Sequence, residues 1–119
     1  MNRNPHAIFG LALAATLVLG VGAALGKDAK KSGQDLYKEN CKSCHLPDSP
    51  HGEYTPMSLI QDQWRDFFER KLIPAHDNVT DPARAGKKVL DLITPEELQE
   101  LREWTIEHAA DSEHPMTCG

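Results

Sequence analysis

The chain has 119 residues, a charged fraction of 26%, a formal net charge of −5 and three cysteines. That length suits one domain. The acidic balance excludes the basic footprint of a nucleic-acid binder, and an odd cysteine count fits poorly with a domain held purely by disulfides.

Residues 1–26 read as a secretory signal peptide. Arg3 supplies a short positive start, Ile8 to Leu25 runs without a charge, and Ala24-Leu25-Gly26 places small residues before the charged Lys27-Asp28. The alternative is a retained membrane anchor, because the run is nearly long enough to span a bilayer. No cysteine follows the run directly, so a bacterial lipid anchor is not expected. Cleavage after Gly26 leaves residues 27–119 as the domain and moves the net charge from −5 to −6, since only Arg3 is lost. The expected location is periplasmic or otherwise exported, or membrane-anchored if the segment stays.

Lys27 to Lys31 is a polar leader. Ser32, with Asp35 three residues on, reads as a helix cap, and the helix through Leu36 and Tyr37 runs into Cys41. Pro47, Pro50, Gly52 and Pro56 mark residues 46–57 as loop. Ser58 with Gln61 reads as a second capping box. Ile60, Trp64, Phe67, Phe68 and Leu72 then recur at helical spacing, which predicts an amphipathic helix over 59–72 that Pro74 ends. After a loop over 73–81, Asp81-Pro82 starts a short helix carrying Val89, Leu90 and Ile93. Thr94-Pro95-Glu96-Glu97 is the strongest helix start in the chain. The helix after it lines up Leu98, Leu101, Thr105 and His108, with Trp104 alongside. Asp111 to Gly119 is a polar tail. No strand signal stands out, so the expected fold is all-α, with about four helices and long loops.

The chemistry concentrates in Cys41-Lys42-Ser43-Cys44-His45. A structural zinc site needs four ligands, usually two separated pairs. Here the second pair would have to come from Cys118, His108 or His114. A dithiol redox site is expected beside a βαβ pattern, which this chain lacks. The same five residues are the C-x-x-C-H attachment site of c-type haem. In that reading Cys41 and Cys44 form thioethers with the two vinyl groups and His45 binds the iron. No catalytic triad or dyad stands out, which favours a carrier over an enzyme. Trp64, Phe67 and Phe68 at helical spacing read equally as ordinary core. Glu96, Glu97, Glu100 and Glu103 are explained by the dipole of the last helix, and Lys87-Lys88 by a solvated face.

Wider spacing extends the match. Gly33, Tyr37 and Cys41 stand four residues apart in turn, Leu101 precedes Trp104 by three, and Pro56-Met57-Ser58-Leu59 comes close to a P-x-L pattern, with one extra residue before the leucine. Together these resemble the class I cytochromes c, small monohaem electron carriers, over residues 32–110. The resemblance implies a cytochrome c-like fold wrapped around one covalent haem c, and redox proteins as partners. The glycine would let the first and last helices approach closely. The Pro56 carbonyl would accept the ring N–H of His45, and Leu59 and Trp64 would pack on the haem. The chain departs from the family at the distal ligand. The family draws a methionine from the loop before the last helix, and residues 73–94 contain none. His76 lies in that loop and is the first candidate, with Met116 and Met57 as alternatives. An open sixth position would instead suit small-ligand binding or weak peroxidase-like chemistry.

Overall fold

The structure, a computed structural model, describes residues 29–117. The expected signal segment and Cys118 lie outside the described residues. Among the described residues no helix is long and apolar enough to cross a membrane. The described chain is mostly helical, as the composition of its elements predicts, with one small antiparallel ladder.

Ser32 fixes the first helix. Its Oγ accepts the Asp35 N–H at 3.2 Å and donates to the Asp35 carboxylate at 2.6 Å. Helix α1 (Gly33–Tyr37) then widens into a π-helical stretch, Lys38–Lys42, which carries Cys41. Five α-helical residues have little stability alone. They are held by burying Leu36 and Tyr37 against Leu101 of the last helix, α4 (Pro95–Glu107). The two helices cross at Gly33, where an added Cβ would overlap Cβ and Cγ of Trp104 and lie 3.0 Å from the Glu100 carbonyl. Glycine is required here by space. The Tyr37 and Trp104 rings pack 5.4 Å apart beside the crossing.

The start of α4 is as expected. Thr94 Oγ1 accepts the Glu97 N–H at 3.2 Å, and the Glu97 carboxylate accepts the Thr94 N–H at 2.9 Å. Leu101 and Thr105 are buried and Leu98, Trp104 and His108 half-buried, while Ile106, absent from the expected stripe, is buried too.

The middle of the chain differs from expectation in three ways. Ser58 does not cap the second helix. It closes a 3-10 turn, Pro56–Ser58, by accepting the Thr55 N–H, and α2 (Gln61–Asp66) starts later. Its first N–H, on Gln61, donates to the Asp111 carboxylate at 2.8 Å, so the cap comes from 50 residues downstream. Ile60 is consequently exposed rather than part of the buried stripe. Second, Pro74 does not end the helix. A π-helical stretch, Phe67–Lys71, intervenes, and the Leu72 N–H reaches back to the Phe67 carbonyl. The register slip makes Pro74 a first-turn residue of a new segment, α3 (Leu72–His76), where its missing N–H costs nothing. Third, the short helix expected after Pro82 is two 3-10 turns, Pro82–Arg84 and Val89–Leu92, around a ladder of β1 (Thr80–Asp81) and β2 (Lys87–Lys88). Ala85 and Gly86 both take positive φ (60° and 67°), which breaks any helix at that point.

Two apolar clusters form the core, and α4 contributes to both. Leu36, Tyr37 and Leu101 make one; Trp64, Ile106 and Ala109 make the other, with Phe68 against each. The tail is stitched down rather than free. Ala110 N–H donates to the Leu59 carbonyl at 3.2 Å, and Met116 N–H to the His108 carbonyl at 3.0 Å. Asp111→Ala removes the α2 cap and is expected to cost about 1 kcal/mol of unfolding free energy, read as a lower denaturant midpoint with an unchanged slope.

Candidate functional site

The Cys41–His45 motif is a tight turn at the end of the π-helical stretch. The Cys44 and His45 N–H groups both donate to the Cys41 carbonyl, at 3.1 and 3.0 Å. π-helical segments recur at functional sites because the extra residue re-aims side chains. Here it carries one half-buried thiol, Cys41, and precedes another, Cys44, neither in a disulfide. Cys41 packs against the Leu36, Tyr37 and Leu101 cluster. Burial, and secondarily the neighbouring Cys44, push the Cys41 thiol up to about 11. A thiol-exchange site lowers its attacking cysteine toward neutrality. At Cys41 burial acts in the opposite direction.

His45 is half-buried, and its Nδ1 lies 3.0 Å from the Gly52 carbonyl. The family resemblance expects Pro56 in that role. In this structure the Pro56 carbonyl accepts the Trp64 indole N–H at 2.8 Å, so Gly52 supplies the acceptor for His45. The physical reason is loop geometry. Gly52 adopts φ 78° and turns its loop back under the ring, while the buried indole of Trp64 needs a partner and takes Pro56. Leu59 and Trp64 both lie in the second core cluster, against Ile106 and Ala109. Trp64 therefore has a complete core role within the protein itself.

His76 ends α3 and is half-buried. Its Nδ1 lies 2.8 Å from the Leu72 carbonyl one turn earlier. The fold brings it to His45, with ring centres 6.3 Å apart and planes inclined by 76°. Met57 is exposed on the 3-10 turn, and Met116 is tied to the carboxyl end of α4. His108, a candidate in the zinc reading, stacks on Trp104 with ring centres 4.9 Å apart. Among the described residues, no three His, Cys, Asp or Glu side chains converge as a metal-binding group.

Several large hydrophobic residues near the two histidines in the chain are exposed. Leu46, Tyr54, Met57, Ile60, Ile73 and Val79 are the exposed large hydrophobic residues. Four of them adjoin the pair. Leu46 follows His45, the Tyr54 ring sits 5.0 Å from the His45 ring, Ile73 is one turn before His76, and the Val79 N–H donates to the His76 carbonyl. Exposed apolar side chains grouped around polar anchors mark a ligand-binding surface. A large apolar ring held by thiols and an imidazole fits this donor set and this fringe. The clearest surface hollows lie elsewhere, one along Glu96, Glu100 and Lys30 and the other along Asp62, Asp66 and Arg70.

One feature beside the motif has little local signal in the sequence. Asp81 is buried, accepts the Ala83 N–H at 2.9 Å and pairs with Arg84 at 2.6 Å. Arg84 also donates to Asn40 Oδ1 at 2.9 Å, and Asn40 Nδ2 to the Leu36 carbonyl at 3.0 Å. The β-ladder loop is thereby clamped to the residue preceding Cys41. The only advance signal was Asp81 as a cap. The Arg84 guanidinium holds the Asp81 carboxyl below its ordinary range. A carboxylate with a depressed folded pKa adds stability above its unfolded pKa and loses it as pH falls. Asp81→Asn should therefore lower the denaturant midpoint at pH 7. The variant and the parent should converge as pH drops below about 4.

Comparison with family models, with curated proteins and with solved structures finds no match to this chain.

Proposed function

We propose that this protein is an exported monohaem c-type cytochrome that carries electrons. Cys41 and Cys44 would hold the haem through thioethers, and His45 would bind the iron. When bound, the haem supplies one-electron chemistry by cycling its iron between ferrous and ferric. The chain's own residues do the rest. Cys41 and Cys44 anchor one edge from a single turn, so that the group is retained after export. The Gly52 carbonyl orients the His45 ring and selects the tautomer whose Nε2 is free for metal. Leu46, Tyr54 and Ile73 supply apolar surface that would exclude water.

The observation that carries this reading is the turn itself. Two thiols and an oriented imidazole are fastened within five residues by a shared acceptor, the Cys41 carbonyl. No catalytic acid or base is required of a carrier. The acidic domain would dock on basic patches of redox partners, with charge acting chiefly on the rate of encounter.

The test is expression with haem-attachment machinery in an exporting host. The expected product is a red protein whose mass includes one haem after denaturation, and whose haem resists acidified-acetone extraction. A colourless product, or haem that extracts freely, overturns the proposal.

A further inference from the structure

Resting on the reading of Cys41-to-His45 as a haem site, we propose that His76 is the sixth iron ligand. Two histidines would then hold the iron, and their rings are inclined by 76°. The resemblance leaves this face open, because the chain has no methionine where the family places one.

Three observations carry the assignment. The first is separation. A metal–imidazole bond of about 2.0 Å, with the nitrogen roughly 1.1 Å from its ring centre, puts the ring centres of two opposed ligands about 6.2 Å apart. The His45 and His76 ring centres are 6.3 Å apart. The second is the tautomer. Each ring has its Nδ1 against a backbone carbonyl, Gly52 for His45 and Leu72 for His76. Each Nδ1 thus serves as the donor, which leaves both Nε2 lone pairs available, the arrangement that metal-bound histidines show. The third is the local fold. A π-helical stretch precedes each histidine, Lys38–Lys42 before His45 and Phe67–Lys71 before α3. The second stretch lets the helix continue past Pro74 and deliver His76 from a helix end rather than a free loop. The backbone N–H of Met116, the next candidate, is bonded to the His108 carbonyl at the carboxyl end of α4.

The consequences are distinct from those of a methionine ligand. Two histidines lower the reduction potential relative to a His/Met pair. They also leave no free position for a small ligand. Rings inclined by 76° predict a low-spin ferric signal with one strongly anisotropic low-field feature, rather than the three-line rhombic spectrum of parallel planes.

The experiment takes the haem-loaded protein and its His76→Ala and His76→Met variants. In the parent, the oxidised spectrum should lack the near-infrared iron–sulfur charge-transfer band, and the reduced form should resist carbon monoxide. His76→Ala should lose the low-spin signal, gain rapid carbon monoxide binding and recover the parent spectrum when imidazole is added. His76→Met should acquire the near-infrared band and a raised potential, which a merely structural role for His76 would not produce. A near-infrared band in the parent, or a His76→Ala spectrum identical to the parent, overturns the assignment while leaving the attached haem intact. A parent that carries no covalent haem overturns both this assignment and the reading beneath it.

Discussion

Gly33→Val is expected to be the most destabilising single substitution outside the cysteine motif. The added Cβ would overlap Trp104 at its own Cβ, and would also press on the Glu100 carbonyl. Neither atom is the movable end of a side chain, so relief requires α1 and α4 to separate. Overpacking that forces backbone shifts costs about 1–3 kcal/mol, occasionally more, and valine belongs at the upper end. A domain of this size holds about 5–15 kcal/mol in all, so urea denaturation should show a large fall in midpoint. Gly33→Ala should show most of the same loss, since the first carbon already collides. Trp104→Ala should not restore it, because alanine keeps the Cβ that Gly33 must avoid. Trp104→Gly should restore part, less about 1 kcal/mol for glycine in a helix. A Gly33→Ala variant as stable as the parent would show that the crossing is looser than described.

Removing the thiols should have the largest functional effect. On the proposed function, Cys41→Ser with Cys44→Ser is expected to abolish covalent haem altogether, read by mass spectrometry and by extraction into acidified acetone. Each single variant should keep at most one thioether and shift the α band of its pyridine haemochrome to longer wavelength. The two singles should differ in stability. Cys41 packs on the Leu36, Tyr37 and Leu101 cluster, whereas no core cluster includes Cys44. A polar hydroxyl at 41 therefore faces apolar neighbours without a partner and costs about 1–3 kcal/mol, beyond any effect on attachment. Equal stabilities of the two single variants would contradict that placement.

Local signals in the sequence determined much of this protein. Ser32 with Asp35 and Thr94 with Glu97 each set a helix start through contacts three residues apart, and both appear in the structure. The mostly helical character followed from periodicity, and the Cys41-to-His45 turn was legible because its chemistry lies within five residues. Gly33 and Trp104 were readable as a close approach only through a family resemblance; the structure then supplied the steric reason.

What the tertiary structure decided depends on distant partners. The α2 cap was misplaced at Ser58 because its acceptor, Asp111, comes from beyond α4. The helix continues past Pro74 because a π register slip accommodates the proline, and such a slip leaves no mark in hydrophobic spacing. Gly52 takes the role expected of Pro56 because the buried Trp64 indole engages the Pro56 carbonyl. The same reason governs the candidate site. Sequence alone placed His76 in a loop among several possible ligands. Only the folding of α3 against the cysteine turn sets its ring 6.3 Å from that of His45, since separation through space is a property of packing, not of spacing along the chain.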